Sequence, residues 1–184
     1  MITPSTNLWQ GSTILTVRKG KEVVIAGDGQ LAEEGVILKS NIKKVRRLGN
    51  GSVIVGFTGS VADSLMLFEK LESIVGQNPH QLISGCVDLA KFWRKDPHLS
   101  NLSAMLVVVN AVHSLVLTGA GDVLEKEDGI IGVGAGGPYA YAAARALFNV
   151  EGLSAAQIVE KSMNVAADMC VYTNNNIAYE SIEL

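Results

Sequence analysis

The sequence predicts an α+β fold: two antiparallel sheets with pairs of helices on their outer faces. Segments with a two-residue apolar period and segments with a helical period come in blocks, in the order strands, two helices, strands, two helices, strand. They do not alternate, which argues against a doubly wound parallel sheet. The longest apolar runs, such as Ala104–Val109, are strand-sized, far short of the ~18 residues that a membrane span needs. Hydrophobic residues make up 48% and charged residues 18% of the 184-residue chain, enough for one buried core and incompatible with a disordered chain.

The elements follow in order. Ser12–Arg18 alternates polar and apolar residues, is rich in β-branched ones, and reads as a strand. Lys19-Gly20-Lys21 turns the chain into a second strand, Glu22–Ala26, which ends in Gly27-Asp28-Gly29. Leu31–Gly35 reads as a loop, and Val36–Leu38 and Ile42–Leu48 as short strands. Gly49-Asn50-Gly51 is a hairpin signal, returning the chain as a strand over Ser52–Thr58. Apolar residues at 61, 65, 68, 71, 74 and 75 mark a helix over Ser60–Val75, ended by Gly76. Asn78-Pro79-His80-Gln81 opens a second helix running to about Lys95. Ala104–Asn110 and Ser114–Thr118 form a strand pair, and Ile130–Val133 another strand. Pro138–Phe148 is an Ala-rich helix. Ser154-Ala155-Ala156-Gln157 is a capping box for a helix to about Val171, and Ile177–Ile182 closes the chain as a strand.

Several function classes have little support. The net charge of −3 gives no basic footprint for nucleic acid. Five basic residues fall between Lys39 and Arg47, a stretch that reads as a solvated strand edge, although alternation turns Lys44 away from Lys43 and Val45. Cys86 and Cys170 are too far apart for a metal cluster and read as small buried residues. His80, His98 and His113 lack metal spacing, and no G-x-S-x-G elbow is present. Gly132–Gly137 matches G-x-G-x-x-G, but no strand follows to complete a βαβ unit, and Gln157 stands where an acid would bind ribose. A close strand-to-helix turn is the better reading. Met1–Gly11 contains no Lys or Arg, so it resembles neither a secretory leader nor a transit peptide, and a cytosolic location is favoured.

One candidate chemistry remains. If the chain is cut before Ser12, the new terminus carries a hydroxyl and a free α-amine on one residue. The amine, with a pKa of about 8, can take the hydroxyl proton directly or through a water. A buried lysine would lower that pKa, and an aspartate would orient the lysine. Lys44 and Asp28, on the following strands, supply those two residue types.

At this point the chain resembles the HslV (ClpQ) family of proteasome-β-related peptidases. The resemblance spans Ser12–Leu184 and rests on Ser12-Thr13-Ile14, VVIAGDGQ (23–30), NIKKVRRL (41–48), VGFTGSVADSLMLFEKLE (55–72), DLAKFWRKD (88–96), GGPYAYAAARAL (136–147) and AADMCVYTNNN (166–176). It implies an N-terminal-nucleophile hydrolase fold, a four-layer αββα sandwich. It also implies a pro-segment over 1–11 and a peptidase domain over 12–184, two stacked hexameric rings, and unfolded protein substrates fed by an HslU-type AAA+ ATPase. ATP would be bound by that partner alone, in keeping with the lack of a Walker loop here.

Carried over by position, the resemblance makes Ser12 the nucleophile, Asp28 and Lys44 the acid and the base-tuning lysine, and Gly56 a backbone donor to the oxyanion. It places a Na+ or other cation on the backbone carbonyls of Ala167, Cys170 and Thr173, and the ATPase's C-terminal tail near Lys39 and Arg46. Two positions depart from the pattern. Ser12 stands where threonine is usual, losing a methyl that restrains χ1. Ala135 stands where the family's GSGG has serine. Together they define the alternative, a catalytically weakened or inactive structural subunit of an HslV-like ring.

Overall fold

The computed structural model describes residues 9–10, 12–33, 35–59, 61–77, 81–97, 99 and 104–184. Twelve strands and four helices are found among them. β1 is Trp9–Gln10, β2 Thr13–Lys19, β3 Glu22–Gly27, β4 Leu31–Glu33, β5 Val36–Lys39 and β6 Val45–Leu48. β7 (Val53–Thr58) precedes α1 (Val61–Gln77) and α2 (Leu82–Lys95). β8 (Met105–Val109), β9 (Ser114–Thr118), β10 (Val123–Glu125) and β11 (Ile130–Gly134) lead to α3 (Gly137–Leu147), α4 (Ala155–Met169) and β12 (Ala178–Glu183).

The strands form a four-stranded sheet ordered β11-β2-β3-β12 and a five-stranded sheet ordered β10-β9-β8-β7-β6. Every pairing is antiparallel. Period-two alternation explains the layering. On β7, Val53, Val55 and Phe57 pack with Leu67 and Leu89 of α1 and α2. Ile54, between them, points the other way, towards Ile14, Ile25 and Val107 in the inter-sheet core. All six β7 residues are therefore buried, which is why the segment reads as a continuous apolar run. On β2, Leu15 and Val17 face Ile158 and Met163 of α4, while Ile14 faces the other sheet. The result is the expected four-layer αββα sandwich with three cores. Arg18 of β2 also ties the sheets together, donating to the carbonyls of Asn110, Ala111 and His113 in the β8–β9 turn at 2.7–2.8 Å.

Several boundaries differ from the sequence reading. Leu31–Glu33 is a strand, not a loop, and pairs with β5 and β1 in a third, three-stranded sheet ordered β1-β4-β5. Neither β1 nor β10 was expected, because two or three residues carry no readable period. Only Val45–Leu48 of the 42–48 segment is strand. α1 runs through Gly76 to Gln77, since one glycine costs a helix only about 1 kcal/mol. α4 stops at Met169, with Cys170 extended. The capping box is present: the Ser154 hydroxyl accepts from Gln157 N at 3.2 Å and the Gln157 side chain accepts from Ser154 N at 3.0 Å. Gly49–Gly51 turns β6 into β7 through one 3₁₀ turn, with Asn50 left-handed (φ 59°). The Asn78-Pro79-His80 start of the second helix lies outside the described residues, as does His98.

Candidate active site

The site lies at one end of the four-stranded sheet, where β2 begins, β3 ends and β11 turns into α3. Register alone brings these pieces together: Ile14 pairs with Gly27 and Thr13 with Gly134. Just past β3, Asp28 is fully buried. Its Oδ1 accepts from Thr13 N at 2.7 Å and from Lys44 Nζ at 2.7 Å. Its Oδ2 accepts from Gln30 N at 2.9 Å, and its own N–H donates to the Thr13 carbonyl at 3.1 Å. The carboxylate thus joins the peptide that follows Ser12 to the ammonium of Lys44.

Lys44 is the large charged side chain of the interior, 1% exposed. Besides Asp28 it donates to the Gln30 carbonyl at 2.6 Å. Burial pushes its pKa below the ordinary lysine value, with Asp28 pulling the other way. The expectation that Lys44 turns inward holds, but strict alternation is not the reason. Val45 is buried as well, and Lys44 sits in the irregular stretch just before β6. The rest of the basic run stays outside. Lys39 and Lys43 are exposed. Arg46 covers the Phe68 ring at 5.6 Å, and Arg47 pairs with Glu180 at 2.6 Å.

Ser12 is 3% exposed, and its Oγ is unpartnered among the described residues. The Ser12 carbonyl crowds Gly134, whose φ of +89° and lack of a side chain make that approach possible. Thr13, next along, is held by the Thr173 hydroxyl at 2.7 Å. Any side chain at Gly136 would collide with both hydroxyls. Gly56 pairs with Val45, the residue after Lys44. A Cβ there would lie 2.8 Å from the Ile14 side chain. Ala135 is exposed between these glycines. Gly132 and Gly137 pack against one another, so the glycine run is a tight strand-to-helix turn, as the missing βαβ unit indicates.

Ala167, Cys170 and Thr173 lie at the C-terminal end of α4, where helix carbonyls lack intrahelical donors and the dipole favours a cation. The Cys170 carbonyl accepts Thr173 N at 3.0 Å and keeps a second lone pair. Both cysteines are free and buried, and burial pushes the Cys86 thiol up to about 12. His113 Nδ1 lies 2.8 Å from Glu125 Oε1, far from the site. No helix among the described residues is long and apolar enough to cross a membrane.

Sequence reasoning missed the residues that brace this site. Gln30 donates through Nε2 to the Val171 carbonyl at 2.7 Å, and Asn174 accepts from Gly29 N at 3.1 Å. Isolated amides about 145 positions from their partners leave no spacing to detect.

A family model described as "Proteasome subunit" matches residues 9–82. Across 95% of the chain, the sequence is 53% identical to the ATP-dependent protease subunit HslV of Paramagnetospirillum magneticum, covering 96% of that protein. It is 51% identical over 94% of the chain to the subunit of the same name from Wolbachia sp. subsp. Brugia malayi, covering 98% of it. The crystal structure of eukaryotic HslV from Trypanosoma brucei superposes with a TM-score of 0.89 at 44% identity, over 94% of this chain and 99% of that one. Relatives that are themselves protease subunits favour a peptidase over an inactive ring member.

Proposed function

Starting from the chain's membership of the HslV family of protease subunits, we propose that it is an N-terminal-nucleophile peptidase whose nucleophile is Ser12, exposed by removal of residues 1–11. One observation carries this reading: a single buried oxygen, Asp28 Oδ1, accepts from both the Thr13 peptide and the Lys44 ammonium. That contact keeps a buried cation in register with the residue that would become the terminus.

Once residue 12 is the terminus, its α-amine takes the Oγ proton and Oγ attacks the substrate carbonyl. The Lys44 charge lowers the amine's pKa and so keeps it neutral, and a proton acceptor, near pH 7. The expected oxyanion role does not fall to Gly56: it lies inside β7, opposite Val45 on one side and Val107 on the other, so its N–H belongs to the sheet ladder. The α-ammonium then protonates the leaving amine, and water hydrolyses the resulting ester, with the amine again as base. In the unprocessed chain, the strand just upstream of Ser12 is paired: Trp9 with Glu33 and Gln10 with Ala32.

The same reading extends to the assembly. The chain would form two stacked hexameric rings in the cytosol and receive unfolded proteins from an HslU-type AAA+ ATPase, which alone binds ATP. Lys39 and Arg46, both exposed, would receive that partner's tail. The carbonyls of Ala167, Cys170 and Thr173 would hold a Na+ or similar cation, which neutralises charge at the end of α4. Intact-mass measurement of the assembled protein tests the first step. Loss of residues 1–11, together with Ser12-dependent peptidase activity, supports the proposal. Persistence of all 184 residues would sink self-processing.

A further inference from the structure

The segment after α4 does more than end a helix. Asn174 Oδ1 accepts from Gly29 N and from Asn176 N, each at 3.1 Å. Its Nδ2 donates to the Ser40 carbonyl at 2.9 Å, and Asn176 Nδ2 donates to the same carbonyl at 2.8 Å. Only one orientation of the Asn174 amide satisfies two N–H donors on one side and a carbonyl on the other. Gly29 is held from the far side too, its carbonyl accepting from Ile42 N at 3.0 Å. A Cβ on Gly29 would lie 2.5 Å from the Ser40 carbonyl and 3.0 Å from the Asn176 carbonyl. Gly29 stands between Asp28 and Gln30, which supply both protein acceptors of Lys44. Ser40 begins the irregular stretch that ends at Lys44.

We infer that Asn174, helped by Asn176, is a positioning residue that latches the Asp28–Gln30 turn to the Ser40–Lys44 stretch and thereby fixes Lys44 beside Asp28. Asn174 acts through these two segments and touches no reacting atom. The inference rests on the proposed peptidase reading for its catalytic consequence, but the latch can be measured without it.

Asn174→Ala and Asn174→Asp test it in the full chain. Asn174→Ala removes every bond the amide makes, and kcat is expected to fall about tenfold with KM within about twofold, because alignment and not substrate contact is lost. With Lys44 less well held, the α-amine returns towards its ordinary pKa and the acidic limb of the kcat profile moves to higher pH. Asn174→Asp keeps the acceptor for Gly29 N and Asn176 N, while Asn176 still holds Ser40. Its kcat should stay closer to the original than that of Asn174→Ala. Hydrogen exchange over 29–42 should quicken about tenfold in Asn174→Ala, with β7 and β8 unchanged. A variant that melts earlier but keeps its kcat and pH profile would overturn the positioning role. Unchanged exchange over 29–42 would overturn the latch whatever the activity. An unsubstituted protein without peptidase activity would instead refute the proposed function, leaving the exchange result to decide the latch.

Discussion

A lysine inside a protein must have its charge met, and Lys44 meets it with Asp28 and the Gln30 carbonyl. Removing one member of such a pair costs about 3–5 kcal/mol, because the other is left buried and charged. Lys44→Met should therefore lower stability by that order in a denaturant titration and abolish peptidase turnover. The lowered Lys44 pKa also sets a sign. Between that pKa and the ordinary 10.5, the unfolded chain holds a proton the folded chain has released. This group thus stabilises the fold increasingly as pH rises through the window, and the gain is lost as pH falls through the folded pKa. Melting temperatures of the original and Lys44→Met proteins across that window should diverge with this sign; a difference that shrinks with rising pH would contradict it. Ser12→Thr restores a β-branched side chain with a stiffer χ1 and should raise kcat severalfold, read with a fluorogenic peptide beside an inactive Ser12→Ala control. Ser12, Asp28 and Lys44 were singled out by the family resemblance and by the chemistry of their combination, since a polar strand start, a turn aspartate and a lysine in a basic run are each ordinary alone. The amides Gln30, Asn174 and Asn176 were not, because an amide in a sequence looks the same whether or not it braces a site.

At the scale of elements, the turn from β11 into α3 is where backbone shape serves the site. Gly134 takes a left-handed φ against the Ser12 carbonyl, and Gly136 leaves room for the Thr13 and Thr173 hydroxyls. Gly136→Ala should cost at least the ~1–3 kcal/mol typical of overpacking, and it should lower kcat as well, since the displaced hydroxyl belongs to the residue after the proposed nucleophile. A loss of stability without loss of turnover would show that Thr13 tolerates the shift. Ala135 between them is exposed and offers space for a hydroxyl. Elements with a long period were readable: α4 with its capping box, and β7 from its apolar run. β1, β4 and β10 were not, since strands of two or three residues are defined by their partners and not by their own pattern. The third sheet was missed for the same reason.

Across the whole molecule, the site is not an attachment to the sandwich but one end of its middle layer. Ile14, two residues past Ser12, is fully buried in the inter-sheet core. Its side chain lies 2.8 Å from where a Cβ on Gly27 would be, and 2.8 Å from where one on Gly56 would be. One aliphatic side chain therefore fills the space that both glycines leave, between the Asp28 turn and β7. The αββα order was legible from the block order of periods, but this junction was not, because it depends on which face of β2 meets which glycine across the sheets. Ile14→Val removes one methylene and should cost about 0.5–1.5 kcal/mol; Ile14→Ala should cost about 2–5 kcal/mol. If Ile14 only fills the core, both variants should keep kcat until they unfold. If it also seats Gly56, kcat should fall for Ile14→Ala at temperatures where the fold is intact, and a Gly56→Ala change should relieve part of that loss by refilling the space. Denaturant midpoints and peptidase rates on the three proteins decide between these outcomes, and the double variant Ile14→Ala/Gly56→Ala measures the coupling directly.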